Sequence, residues 1–197
     1  MACNLTAGRS VDCKDVIGGI KSIFFTSSFC ADIWREATIT DGVMATAGFA
    51  DWDIVDTGQV TVFKYNLRPN LSSLTVNVNS DPATGTTFFT QTLSITLQKI
   101  DSAMSNQLKL ISYNRSQIFV QDQQNYVYLL GLENGCDITG GTVVTGAAKG
   151  DLSGYTMEFS AEEKLPLIHL PIYNSDTDAK FPFDGLTDES ALTITTG

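Results

Sequence analysis

The feature that most constrains the fold is a long alternation of apolar and hydroxyl side chains between Thr87 and Lys99. One face carries Phe89, Leu93, Ile95 and Leu97, and the opposite face carries Thr90, Thr92, Ser94 and Thr96. Successive side chains of a strand point to opposite faces, so this period of two predicts a long half-buried strand. The segment has no charged residue before Lys99, although charge is a usual protection of an open strand edge. We therefore expect this strand to be an edge through which copies of the chain join their sheets.

Shorter alternations of the same kind recur at 60–65, 74–79 and 155–160. Strong turn signals lie between the predicted strands, namely Asp41-Gly42, Asp81-Pro82 and Asn134-Gly135. Several short strands separated by such turns are typical of antiparallel all-β architectures. The sequence therefore predicts a mostly β protein, built as an antiparallel sandwich or barrel.

One short helix is predicted at about 101–113. Asp101 is a residue type that caps helix N-termini, and Met104, Leu108 and Ile111 follow at helical spacing on one face. A short amphipathic helix between two predicted strands is expected to pack across a sheet.

Three segments extend the predicted β domain, which we assign to residues 1–165. Residues 26–58 mix aromatic and acidic side chains with weak periodicity and are interpreted as a long loop. Residues 135–154 contain six glycines and are interpreted as a glycine-rich hairpin. Residues 166–197 are apolar and interrupted by proline, which prevents long regular elements, so we expect an extended C-terminal arm that docks on a neighbouring subunit.

No residue pattern indicates catalysis, a cofactor or a metal. His169 is the one histidine, and it lies in a proline-flanked segment that is a poor platform for a preorganised catalytic group. The cysteines show no paired metal-ligand spacing and are expected to be reduced thiols; they are Cys3, Cys13, Cys30 and Cys136. The acidic run Asp51, Asp53 and Asp56 lacks the spacing of a calcium-binding loop. We therefore predict a protein that is not an enzyme.

The charge balance is strongly acidic, with 22 acidic against 12 basic residues. No cluster of Lys or Arg is present to neutralise a run of phosphates, which argues against sequence-specific DNA binding. An acidic surface is nevertheless compatible with DNA that slides past it. If the chain lines a passage for DNA, the candidate carboxylates lie in loops, chiefly Asp51, Asp53 and Asp56, or Asp122.

The sequence carries no secretion signal or membrane span. Its first residues lack a cationic start followed by an apolar run, and no apolar stretch approaches ~20 residues. We expect synthesis in the cytoplasm, without a membrane partner.

Three stretches resemble virion structural proteins of tailed phages of the Bacteroidota, including crAss-like phages. They are CNLTAGRSVDCKDVIGGIKSIFF, GTTFFTQTLSITLQKID and GCDITGGTVVTGAAKGDLSGYTMEFSAEE, and the resemblance, with their order and spacing preserved, extends over most of residues 3–163. The third also resembles the glycine-rich hairpin and closing strand of tail-tube-like proteins. The resemblance implies a cofactor-free subunit of a sixfold or twelvefold ring in the tail tube, tail barrel or neck. Such a ring contacts adjacent tail, neck or portal proteins and passes DNA at ejection.

Two other functions stay open from the residues. The chain is alternatively another virion component, such as a capsid decoration or fibre-base protein. It is alternatively a glycan-binding β-sandwich, with Trp34, Phe49 and Trp52 as candidate sugar-stacking residues.

Overall fold

The computed structural model describes residues 9, 14, 16–27, 39–40, 43–44, 60–170, 177, 179, 181–183 and 192–196. The strands are β1 (Ile20–Thr26), β2 (Ile39–Thr40), β3 (Val43–Met44), β4 (Val60–Asn66), β5 (Ser73–Asp81), β6 (Thr86–Gln98), β7 (Ile118–Asp122), β8 (Val127–Leu130), β9 (Asp137–Val144), β10 (Gly154–Glu163), β11 (Ile168–Leu170) and β12 (Leu192–Thr196). The helix in this part of the chain is α1 (Ser102–Tyr113).

The strands form two sheets. The large sheet has the order β12-β4-β1-β7-β8-β11-β3-β2, and the small sheet has the order β5-β6-β10-β9. Most neighbouring strands are antiparallel, with parallel pairing at β12–β4 and β11–β3. The predicted mostly β, sandwich-like fold is confirmed, and the described strands make two open sheets instead of a closed barrel.

The main core lies between the two sheets. The large sheet contributes Ile23 and Phe25 from β1 and Ile118 from β7, while the small sheet contributes Leu93 and Phe159. Burying each such side chain stabilises the fold by roughly 1.5–3 kcal/mol. The small sheet is therefore fixed through one face, and its other face points away from the large sheet.

The other face of the large sheet carries a second apolar layer. Phe24 and Phe119 alternate with the main-core residues of their strands, and both rings contact Phe183. Phe181 and Phe183 are fully buried in this layer. These described residues of 166–197 are therefore covered within their own chain, and docking of the segment on a neighbouring subunit stays a prediction. The segment adds β11 and β12 to the large sheet and buries two aromatic rings within its own chain.

Helix α1 begins and ends close to the predicted bounds. Met104, Leu108 and Ile111 are partly buried and pack against the main core, as their spacing predicts. Asp101 is the N-cap residue, but its side chain makes no capping hydrogen bond. Instead, the Tyr155 hydroxyl donates to the Asp101 carbonyl oxygen at 3.0 Å and ties the helix start to β10.

The predicted edge position of the alternating strand is wrong. That strand is β6, and it pairs with β5 along one side and with β10 along the other. Its lack of charge reflects its central position in the small sheet. The edges are β5 and β9, each of which pairs with one strand of the described residues.

The turns and the hairpin agree with the sequence where the structure describes them. Residues 82–85 connect β5 to β6, and residues 132–134 form the turn before Gly135. The glycine-rich segment 135–154 forms the β9–β10 hairpin. Most of the predicted loop 26–58, including Asp41-Gly42, lies outside the described residues, although β2 and β3 fall within it.

Candidate assembly interface

The small sheet presents a polar face to solvent, which we call the outer face. Its members alternate with the core residues of each strand: Ser73, Thr75, Asn77, Asn79, Asp81, Thr86, Phe88, Thr90, Thr92, Ser94, Thr96, Gln98, Asp137, Gly140, Thr142, Val144, Thr156, Glu158, Ser160 and Glu162. Apart from Phe88 and Val144 near the hairpin ends, the outer-face side chains are hydroxyls, amides and carboxylates. At most positions where a side chain of the small sheet points away from the core, the sequence places a hydrogen-bonding group.

Cross-strand hydrogen bonds order part of this face. The Asn79 Nδ2 group donates to Thr90 Oγ1 at 2.7 Å, and Thr142 Oγ1 lies 3.3 Å from Thr156 Oγ1. Side chains that bond to one another across strands hold fixed rotamers and offer fewer groups to a passing molecule. These hydrogen bonds order part of the outer face as a polar surface.

The charge on the outer face has one sign. Strands β5, β6, β9 and β10 contain no Lys or Arg. Their carboxylates on this face are Asp81, Asp137, Glu158 and Glu162. Beside the face, Arg115 Nε lies 3.8 Å from Asp137 Oδ1, and both side chains are more than half exposed. The face is net negative and repels another polyanion over about one Debye length, roughly 8–10 Å at physiological salt.

Both edges of the small sheet offer backbone hydrogen-bonding groups. Each pair along the order β5-β6-β10-β9 is antiparallel, so the two edge strands run in opposite directions. Strand β5 carries no charge before its last residue, Asp81, and strand β9 none after its first, Asp137. Neither edge is protected by the lysines or prolines that usually prevent edge-to-edge pairing.

Two buried polar side chains attach the small sheet to the loop that precedes β9. Gln91 Oε1 accepts the Gly131 N–H at 3.1 Å, and Glu163 Oε1 accepts the Glu133 and Asn134 N–H groups at 3.0 and 2.9 Å. Gly131 has φ 68°, and a Cβ there would lie 2.6 Å from the Gly135 carbonyl carbon. These contacts fix the loop before β9 against the small sheet, and so fix the start of this edge strand.

The partly buried Asp122 accepts hydrogen bonds with both of its carboxylate oxygens. Its Oδ1 accepts the N–H groups of Gln124 and Tyr126, both at 2.8 Å, and its Oδ2 accepts the Tyr128 hydroxyl at 2.9 Å. Burial first, and then the hydrogen bond and charge of Asp122, raise the pKa of Tyr128 to about 12. Asp122 thus orders the β7–β8 turn, and its position facing DNA stays a prediction.

The remaining sequence candidates fall in two groups. His169 is exposed in β11 and packs edge-on against Tyr128, with ring centroids 4.8 Å apart. Cys136 is a free buried thiol whose pKa is raised by burial. The other candidates lie outside the described residues: Cys3, Cys13, Cys30, Trp34, Phe49, Asp51, Trp52, Asp53 and Asp56.

Within the described ranges, no three His, Cys, Asp or Glu side chains come together as a metal-binding group. The described helix is too short and too polar to cross a membrane.

The sequence alone did not single out Glu158 and Glu162 or the edge strands β5 and β9. The two glutamates were recognisable as polar positions of an alternating strand, but their common face with Asp81 depends on long-range strand order. Periodicity within a strand does not indicate which strands are neighbours.

No protein-family model, curated protein or solved structure matches this chain.

Proposed function

We propose that this chain is a non-enzymatic structural subunit of a tailed-phage virion. In this proposal it forms a ring of the tail tube, tail barrel or neck, assembled in the host cytoplasm, and the outer face of the small sheet lines the DNA conduit. The observation that carries the proposal is an anionic hydroxyl-rich face, without Lys or Arg in its strands, between two unprotected edges. The resemblance of residues 3–163 to phage virion proteins supports the same function.

Strand direction favours a ring. Strands β5 and β9 run in opposite directions, so a rotation about an axis that the strands cross obliquely, as in a closed sheet, brings β5 of the next copy antiparallel to β9. The contact joins two different surfaces, and repetition of such a contact closes into a ring when the rotation divides a full turn. Neighbouring small sheets then form one continuous wall.

The polarity of the wall suits the passage of DNA. A conduit that carries duplex DNA must not bind phosphate, because each Lys or Arg contact releases counterions and strengthens binding. Each outer-face carboxylate is repeated once per copy around the ring. A single residue such as Glu158 therefore forms a continuous negative band.

Particle size tests the proposal directly. The purified chain is expected to sediment as a closed oligomer, and electron microscopy is expected to show rings with a central channel. Val143 is 53% exposed on edge strand β9, so Val143→Lys should block joining and leave a folded monomer. Val16 is 71% exposed outside both sheets, and Val16→Lys is the matched control that should still assemble.

A wild-type chain that stays monomeric at high concentration and is absent from virion tails contradicts the proposal. Ring formation by Val143→Lys would show that edge β9 does not make the contact.

A further inference from the structure

The edge strand β9 leaves a notch beside helix α1. The notch has a volume of about 300 Å³, and its walls include Leu108 and Ser112 of α1 and Met157 of β10. It exists because Gly141, on the core-facing side of β9, has no side chain. A Cβ at Gly141 would lie 3.0 Å from the Thr156 carbonyl oxygen. The notch lies against β9, an edge strand among the described residues, and Leu108, Ile138 and Met157 give it an apolar lining.

The opposite edge of the small sheet carries an apolar side chain without cover. Leu74, Val76 and Val78 share the core-facing side of β5, opposite Leu93, Gln91 and Phe89 of β6. Leu74 and Val76 are partly buried, whereas Val78 is 65% exposed. Val78 is therefore a small, exposed apolar side chain on an edge strand, and its size suits the notch.

We propose that Val78 of one copy inserts into the Gly141 notch of the next copy, and so sets the register of the sheet that joins them. This inference rests on the proposed ring. In an antiparallel pair with Val78 opposite Gly141, Asn77 lies opposite Thr142 and Val76 lies opposite Val143. Val143, exposed in the single chain, is then covered as well. In this register, residues 138–144 of β9 all lie opposite residues 75–81 of β5.

Charge complementarity supports the same register. Asp81 of the neighbouring copy comes beside Ile138, one position from Asp137. Arg115 Nε lies 3.8 Å from Asp137 Oδ1 and the side chain is half exposed, which makes its guanidinium the candidate partner for Asp81 of the neighbouring copy. An Arg between two carboxylates on adjoining strands offsets their mutual repulsion.

The stagger of the joined sheet is also compatible with a closed wall. Gly141 lies level with Ile95 of β6 through Met157, and Val78 lies level with Phe89. The sheet therefore advances by about six residues for every four strands, which tilts the strands by about 45° from the ring axis. With Val76 opposite Gly141 the tilt is about 35°, which also falls in the range of closed sheets. The exposure of Val78 selects between these two registers.

Disulfide cross-linking between introduced cysteines tests the register directly. The variant Asn77→Cys/Thr142→Cys places thiols on directly opposed strand positions of two copies, within disulfide reach. The matched variant Thr75→Cys/Thr142→Cys pairs only if the register shifts by two residues. Within one chain these positions lie on opposite edges of the small sheet, so a new disulfide reports a contact between copies. The wild type and the single-cysteine variants measure the background from the native thiols.

We expect mild oxidation to give an intermolecular ladder for Asn77→Cys/Thr142→Cys and only background for the matched variant. Val78→Asp should raise the protein concentration needed for ring formation at least tenfold. Asn77→Asp places the same charge on the outer face of β5 and should assemble like the wild type. Rings that cross-link only through the 75–142 pair, or through neither pair, overturn this inference and leave the ring itself standing. Absence of both rings and cross-links overturns the proposed function too.

Discussion

Phe183 packs edge-to-face against Phe119, with ring centroids 4.8 Å apart and an interplanar angle of 89°. Phe119 lies in the middle of the large sheet, and both side chains are fully buried. The segment after residue 165 is therefore part of the fold of its own chain, and it also supplies β11 between β8 and β3.

We predict that removing residues 166–197 prevents folding of the single chain. Phe183→Ala should lower the free energy of unfolding by about 3–5 kcal/mol, because it leaves a cavity against two aromatic rings. Leu165→Ala is the control, since this residue is 39% exposed and should change stability by less than about 0.5 kcal/mol. Urea unfolding followed by tryptophan fluorescence measures both. A truncated chain that unfolds cooperatively at the wild-type midpoint would contradict the prediction.

A matched pair of glycines tests the packing of the small sheet. A Cβ at Gly154 would lie 2.1 Å from the Leu97 carbonyl oxygen, whereas a Cβ at Gly140 meets nothing within 4 Å. Gly154→Ala should therefore destabilise the chain by at least about 1–3 kcal/mol through overpacking. Gly140→Ala should stay within about 0.5 kcal/mol of the wild type. Equal unfolding midpoints for the two variants would show that β10 does not approach β6 as described.

The fold and the candidate interface differ in how far they follow from the sequence. The period-two pattern of β6 and the helical spacing of Met104, Leu108 and Ile111 are local, so strand, helix and fold class were predictable. The neighbours of β6 were not, because an uncharged alternating strand fits an edge as well as a sheet centre. The contact between Phe183 and Phe119 is not predictable either, since sequence gives no distance between the two residues. The common face of Glu158, Glu162 and Asp81 likewise depends on which strands are neighbours.

The Tyr128 phenol gives a stability change at high pH. Burial and Asp122 raise its pKa from 10.0 to about 12, so the folded chain holds this proton to a higher pH than the unfolded chain. Its contribution to stability is complete below pH 10 and is lost as the pH rises through about 12. An ultraviolet titration of tyrosinate should show one fewer tyrosine ionising at the highest pH in Tyr128→Phe than in the wild type.

The charge of the outer face gives a separate prediction. Glu158→Lys/Glu162→Lys should leave rings intact, because both side chains are exposed and point away from the core. The variant rings should bind duplex DNA with an affinity that falls steeply as salt increases, whereas wild-type rings should bind little. Asn106→Lys/Gln124→Lys adds two exposed lysines away from the small sheet and is the control. If the control binds DNA as strongly as the glutamate variant, the outer face does not line the channel.

The central claim is that the outer face of the small sheet lines a channel. The most direct measurement is an electron cryomicroscopy reconstruction of the assembled protein, in purified rings or in virion tails. We predict a closed wall in which β5 of each copy adjoins β9 of the next, with Glu158 and Glu162 facing the lumen. A ring whose lumen is lined by Lys and Arg, or whose small sheets face outward, would contradict the account.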